Sequence, residues 1–188
     1  MSATRERSAD PLRDHPSVAK VAAVLAEAGL ATSVDGIRFL PRAVRTAAQA
    51  AEAIGVEVGA IANSLVFRTT DDDGVVAPLL VLTSGAHRAD TAMLAELTGT
   101  RRVDRADPEF VRTHTGQVIG GVAPVGHPGR LTTLVDEALR SYDTVWAAAG
   151  HPNTVFPATF DDLVTVTGGR VATVSTSTDS RTGRSAPR

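Results

Sequence analysis

Residues 61–82 read IANSLVFRTTDDDGVVAPLLVL. Residues 61–67 and 75–82 are two runs rich in β-branched and aliphatic side chains. Between them Thr69-Thr70-Asp71-Asp72-Asp73-Gly74 forms a polar segment that ends in glycine. Two such runs with such a connection predict a β-hairpin. A hairpin brings an antiparallel pair into the sheet, and helical segments alternate with strands on both sides of it. The expected fold class is therefore α/β, a mixed β-sheet flanked by helices, rather than a purely parallel sheet.

Upstream, Ser17 reads as the N-cap of a helix in which Val18, Val21, Ala22 and Leu25 recur at helical spacing until Gly29. Ile37, Phe39 and Leu40 follow Asp35-Gly36 as a short strand. Pro41 then opens an alanine-rich helix that runs to Ile54. Downstream, residues 90–97 form an amphipathic helix stopped by Gly99, and Arg101-Arg102-Val103 a short strand. Asp107 caps a helical turn with Pro108 at its first position. Residues 131–135 and 144–148 read as strands joined by a short polar turn or helix containing Asp136 and Glu137. Val155-Phe156 is a further strand, residues 160–166 a helix ended by Gly168-Gly169, and residues 171–174 a last strand.

A chain of 188 residues accommodates one well-packed domain. An apolar share of 43% and a charged share of 21% belong to a globular protein. Residues 1–16 read as a flexible leader, 17–175 as the domain and 176–188 as a disordered tail. No window approaches a membrane-spanning helix, and the first residues hold no apolar signal core, so a cytoplasmic location is expected. With no cysteine, disulfides, thiolate metal sites and cysteine nucleophiles are excluded. The net charge of −2 provides no global field for nucleic acid, so any RNA contact must be local and transient. Lys20 is the only lysine.

The chain contains no P-loop, no dinucleotide-binding glycine fingerprint, no HExxH and no G-x-S-x-G elbow. The histidines (His15, His87, His114, His127 and His151) show no metal-ligand spacing, and each reads first as a surface or structural residue. Neither a metal nor a cofactor is expected. Residues 115–129, TGQVIGGVAPVGHPG, hold five glycines and two prolines. Such a segment is either a long surface loop or a backbone cradle, whose N–H groups hold a carbonyl oxygen, a water or a phosphate.

The order of these pieces resembles the YbaK/EbsC family of aminoacyl-tRNA editing domains, and the related insertion domain of bacterial prolyl-tRNA synthetases. The matching segments are Ile61-Ala62-Asn63-Ser64-Leu65-Val66-Phe67, the hairpin to Leu79-Leu80-Val81-Leu82, and Thr115-Gly116 with Gly120-Gly121-Val122-Ala123-Pro124-Val125-Gly126. Leu134-Val135-Asp136-Glu137, Val145-Trp146-Ala147-Ala148-Ala149-Gly150 and Phe160-Asp161-Asp162-Leu163 complete the series. The resemblance spans roughly residues 17–175. It implies a YbaK-like single domain that hydrolyses the ester of a tRNA mischarged with a small amino acid, without a metal. It also implies that the loop Gly120, Gly121, Val122, Ala123, Pro124 positions ester and water, with help from the terminal ribose hydroxyl and with Asn63 beside it as a catalytic-site residue. Ser64, Gly150, His151 and Asp136 are then the expected substrate-binding positions. The implied partners are the tRNA acceptor end, bound transiently, and an aminoacyl-tRNA synthetase. The oligomeric state is not legible.

Two positions depart from the family pattern. The family's lysine falls at Asn63, which offers a neutral amide in place of an ammonium. A family serine is also replaced, near Ala148. His151 is a new polar group that either compensates or is a solvated loop histidine. Asp136 either orients a loop by accepting backbone N–H bonds or sits exposed as a turn former; a structural role is the commoner one, because aspartate so often bonds its local backbone in turns. The alternative to a deacylase is therefore a catalytically impaired relative that binds an aminoacyl or acceptor end, or a protein partner, without hydrolysis.

Overall fold

A computed structural model describes residues 11–175 of the chain. Residues 1–10 of the expected leader, and the expected tail 176–188, lie outside the described residues. Pro11–Asp14 forms a 3-10 turn that runs into α1 (Pro16–Glu27). The cap of α1 is His15, whose Nδ1 accepts from the Ser17 N–H at 3.3 Å, and not Ser17 itself. Pro16 takes the first helical position, which needs no N–H, and so starts the helix earlier than the serine suggested. A single turn, α2 (Ala31–Asp35), follows; five residues carry too little periodicity to announce a helix.

After β1 (Arg38–Phe39) the alanine-rich helix, α3 (Ala47–Ile54), begins later than Pro41. Thr46 caps it, accepting from the Gln49 N–H at 3.2 Å. Residues upstream of the cap are held out of the helix by tertiary bonds: the Leu40 N–H donates to Asn153 O at 2.7 Å and the Val44 N–H to Pro152 O at 3.0 Å. Local propensity yields to these partners.

The hairpin is as expected, with longer arms. β2 (Ile61–Thr70) and β3 (Val76–Ser84) pair antiparallel, with Asn63 opposite Thr83 and Leu65 opposite Val81. Asp71 closes the turn, its Oδ1 accepting from the Val75 N–H at 2.8 Å. Then come α4 (Thr91–Thr98), capped by Asp90, β4 (Arg102–Arg105), and α5 (Pro108–Thr115), capped by Asp107. β5 (Thr132–Asp136), a 3-10 turn at Glu137–Ser141, β6 (Val145–Ala148), β7 (Thr154–Ala158), α6 (Phe160–Thr167) and β8 (Arg170–Ala172) complete the described chain.

All eight strands join one mixed sheet in the order β1-β7-β6-β2-β3-β5-β8, with β4 also paired to β2. Side chains alternate across it. Ala62, Leu80, Leu82, Val135, Ala147 and Phe156 face the larger core, which α1, α5 and α6 cover. On the opposite face the apolar side chains fall into two separate groups. Ile61, Trp146 and Val155 pack under α3, while Phe67, Leu79, Val81 and Leu134 pack under α4. On β2 this second face reads Ile61, Asn63, Leu65, Phe67, so the polar Asn63 stands at the seam between the two groups. No helix among the described residues is long and apolar enough to cross a membrane.

Candidate active site

The seam deepens into a cleft because β2 is only partly paired on one of its edges. β3 covers the other edge along its whole length. On the open edge β6 pairs only with Ile61 and Ala62, and β4 only from Phe67 onward. Residues 63–66 have no strand partner there. Asn63 and Ser64 point to opposite faces by alternation, yet both reach the opening because no strand closes it.

The cleft has two compartments that share Asn63, Ser64, Leu65, Ile119, Gly120 and Val122. The smaller, about 180 Å³, is walled largely by Val44, Ala47, Ala50, Ile61, Ala147 and Ala148. The larger, about 640 Å³, is bordered by His87, Arg88, Thr91 and Arg105. No carboxylate lines either compartment, although acids outnumber lysines and arginines by 21 to 19 in the chain. Arg88 and Arg105 form no ion pair with a described residue, unlike Arg68, which sits 3.6 Å from Asp107. The cleft is thus locally cationic inside a slightly acidic protein. Ser64 Oγ is buried and has no hydrogen-bond partner among the described residues. An orphaned buried hydroxyl costs about 1–3 kcal/mol, which a ligand or a water offsets on binding.

The glycine-rich segment supplies the remaining wall. It contains no strand or helix between Gly116 and Leu131, and Gln117 organises it. Gln117 is buried, its Oε1 accepting from the Ala123 N–H at 2.7 Å and its Nε2 donating to Val125 O at 3.2 Å. His127 donates from Nε2 to Ala123 O at 2.9 Å; burial pushes its pKa below the ordinary histidine value and favours the neutral ring. Pro124 is bracketed by these bonds. Gly121 donates its N–H to Val118 O at 2.9 Å. Of the four N–H groups between Gly120 and Pro124, two are therefore spent, and those of Gly120 and Val122 bond to no described residue. These are also the two loop residues of that set that line the cleft. The cradle is narrower than the sequence suggests: Gly120 and Val122 face the opening, while Ala123 and Pro124 are scaffold.

The other expected site residues lie elsewhere. Gly150 packs its Cα against the first turn of α1, where an added Cβ would stand 2.7 Å from Ser17 O. His151 borders neither compartment. Its Nδ1 accepts from the Asn153 N–H at 3.1 Å, and its ring meets His15 edge-on at 4.9 Å between centroids. Burial first, and the neighbouring His15 second, push its pKa down. Asp136, 1% exposed, accepts from the Ser84 and Ala138 N–H groups at 3.0 and 3.1 Å and contacts His87 Nδ1 at 2.9 Å. It orders a loop and a histidine from beneath the cleft. Sequence reasoning missed His87 and Arg88 as cleft residues. The only signal for them is a His-Arg pair directly after a predicted strand, where the chain leaves the sheet.

A family model described as the aminoacyl-tRNA editing domain matches residues 41–166. The chain is 32% identical over 118 residues to the uncharacterised protein YwhH of Bacillus subtilis, a match that covers 63% of this chain and 72% of that one. It is 24% identical over 131 residues to the candidate Cys-tRNA(Pro)/Cys-tRNA(Cys) deacylase EbsC of Enterococcus faecalis, with 70% and 77% covered. Among solved structures, a candidate trans-editing enzyme for prolyl-tRNA synthetase superposes with a TM-score of 0.74 at 40% identity, covering 86% of this chain and 98% of that one. The segment 41–166 holds the open edge of β2, the glycine-rich loop and both compartments, so the cleft lies within the part of the chain that the family model matches. The chain belongs to the aminoacyl-tRNA editing domain family.

Proposed function

We propose that this chain is an aminoacyl-tRNA deacylase that hydrolyses tRNA charged with a small amino acid. The observation that carries the reading is the two-compartment cleft, with unengaged backbone donors at the junction. The smaller compartment, about 180 Å³, is near the roughly 150 Å³ of a cavity that takes a benzene ring. It suits a short aliphatic or hydroxyl side chain and excludes one with two fused rings. The larger, cation-bordered compartment suits the terminal ribose and phosphate of the acceptor strand. At the junction the ester carbonyl meets Gly120, Val122, Asn63 and Ser64. Water attacks the carbonyl carbon, and the N–H groups of Gly120 and Val122 stabilise the oxyanion. Fixed backbone donors of this kind need no reorganisation at the moment of reaction.

Incubation with tRNAs charged with alanine, serine, cysteine, proline and tryptophan tests the reading. Release is expected for at least one of the four small residues and not for tryptophan. No release from any of the four refutes hydrolysis. The presence of Asn63 where the family carries lysine favours a second reading, a non-hydrolysing binder. Under that reading the wild type is silent and Asn63→Lys gains activity; an active wild type that Asn63→Lys slows rules it out.

The cationic border makes a separate prediction. In an Arg88→Ala/Arg105→Ala double variant, KM for aminoacyl-tRNA is expected to rise about tenfold with kcat little changed. The dependence of log KM on log salt should flatten by about 1.4, two single-strand phosphate contacts at about 0.7 each. Aminoacyl-adenosine, which lacks the phosphate, should show no such change. Equal KM effects on both substrates would place the arginines elsewhere in recognition.

A further inference from the structure

We infer that His87, held by the buried carboxylate of Asp136, is the proton acceptor of the hydrolytic reaction. This inference rests on the deacylase reading and goes beyond it, because a backbone cradle stabilises an oxyanion but cannot accept a proton from water.

The geometry is that of an oriented base. Asp136 Oδ2 lies 2.9 Å from His87 Nδ1 and is itself fixed by the Ser84 N–H at 3.0 Å, while Oδ1 takes the Ala138 N–H at 3.1 Å. An ionised carboxylate only accepts, so Nδ1 carries the hydrogen and Nε2 keeps its lone pair. The Asp136 side chain is 2% exposed and that of His87 37%, so the anchor is buried while the histidine is partly open, and His87 is among the residues that line the larger compartment. Nucleophile activation recurs in this form, a base whose far nitrogen is free and whose near nitrogen is oriented by a third group. Arg88 and Arg105 are the charged groups bordering the compartment, and among the described residues Asp136 is the only carboxylate in contact with the ring.

The remaining described histidines are placed elsewhere. His127 spends Nε2 on Ala123 O. His151 accepts at Nδ1 and stacks on His15, which itself caps α1. His114 lies against Phe110 at 4.2 Å between ring centroids. None of these four lines the cleft.

The step balances without a further reactant. Water oxygen bonds to the ester carbonyl carbon as one of its protons passes to Nε2. The tetrahedral intermediate then expels the ribose oxygen, which takes that proton back from the imidazolium. The products are the free amino acid and a tRNA with its terminal hydroxyl restored.

The test uses the full chain and whichever aminoacyl-tRNA the wild type cleaves. His87→Gln keeps a hydrogen-bonding side chain of similar reach and removes the base. Its kcat is expected to fall at least 100-fold, within the range of general-base contributions, with KM changed less than about threefold. In His87→Gly, added imidazole is expected to restore kcat at least tenfold, a rescue that a purely structural histidine would not show. A His87→Gln variant with kcat within threefold of an active wild type overturns the inference and leaves the deacylase reading standing. A wild type silent across the panel overturns the deacylase reading itself.

Discussion

Replacing Gly121 by alanine is expected to lower kcat/KM about 100-fold and to reduce stability by about 1–3 kcal/mol, the usual cost of forcing volume into a packed site. An added Cβ would stand 2.7 Å from the carbonyl carbon of His151, 2.8 Å from its Cα and 2.8 Å from Pro152 Cδ. Two of these are backbone atoms and cannot rotate away. The 151–152 turn cannot yield easily either. Thr154 Oγ1 accepts from the His151 N–H at 3.2 Å and donates to His151 O at 2.9 Å, and Pro152 O accepts from Val44. The loop must therefore move away from the turn. A displacement of about 1 Å at a reacting centre can cost about 100-fold in rate. Gly120 offers a contrast. Its φ of +91° strains any other residue, but the nearest atom to an added Cβ is 3.7 Å away. Gly120→Ala should cost about 1–2 kcal/mol of backbone strain and displace the loop less. Thermal melts and deacylation rates on the two variants check this. A Gly121→Ala protein with wild-type melting temperature and rate would show that the loop gives way freely. The melting arm holds whatever the substrate proves to be.

The two variants also mark what the sequence does and does not disclose. The hairpin, the capped helices α4, α5 and α6, and the absence of regular structure in the glycine-rich segment are written locally: Asp71 to Gly74, Asp90, Asp107 and Thr159 act within a few residues of themselves. The cleft is not written that way. It exists because β6 and β4 pair with opposite ends of one edge of β2 and leave residues 63–66 uncovered. Strand order is decided by contacts between distant segments, and no local period reports it. The same holds for the site. The glycine-proline pattern and the family resemblance direct attention to Asn63, Ser64 and the loop, and all three reach the opening. They do not reveal that Ala123 is already bonded to Gln117, or that Gly150 lies against Ser17. Asp136 and His87 are 49 residues apart, and each alone reads as an ordinary turn or surface residue. Only the fold brings the carboxylate under the ring. The helix starts misread at Ser17 and Pro41 have the same origin, since partners from outside the segment, or a proline at the first position, outweigh the local signal.

Gln117→Leu is expected to be the most destabilising of these substitutions, although the residue borders neither compartment. Gln117 is 2% exposed and satisfies two backbone groups six and eight residues away, the Ala123 N–H and Val125 O. Leucine fills a similar volume and satisfies neither. Each buried orphan costs about 1–3 kcal/mol, so a loss of about 2–6 kcal/mol is expected before the added apolar contact is credited. At about 2–4 °C per kcal/mol for a domain of this size, the melting temperature should fall by at least about 4 °C. Gln117→Glu separates the two bonds. It keeps an acceptor for the Ala123 N–H but sets a carboxylate oxygen against the Val125 carbonyl, so it should destabilise as well while holding the Gly120 side of the loop in place. The informative comparison is made at a temperature where all three proteins remain folded. If Gln117 acts by pre-organising the cradle, the leucine variant should lose about tenfold or more in kcat there, and the glutamate variant less. Equal rates in wild type and Gln117→Leu under those conditions would mean that the Gly120 and Val122 donors hold their position without the glutamine, and that the loop is rigid through its prolines and the His127 contact alone.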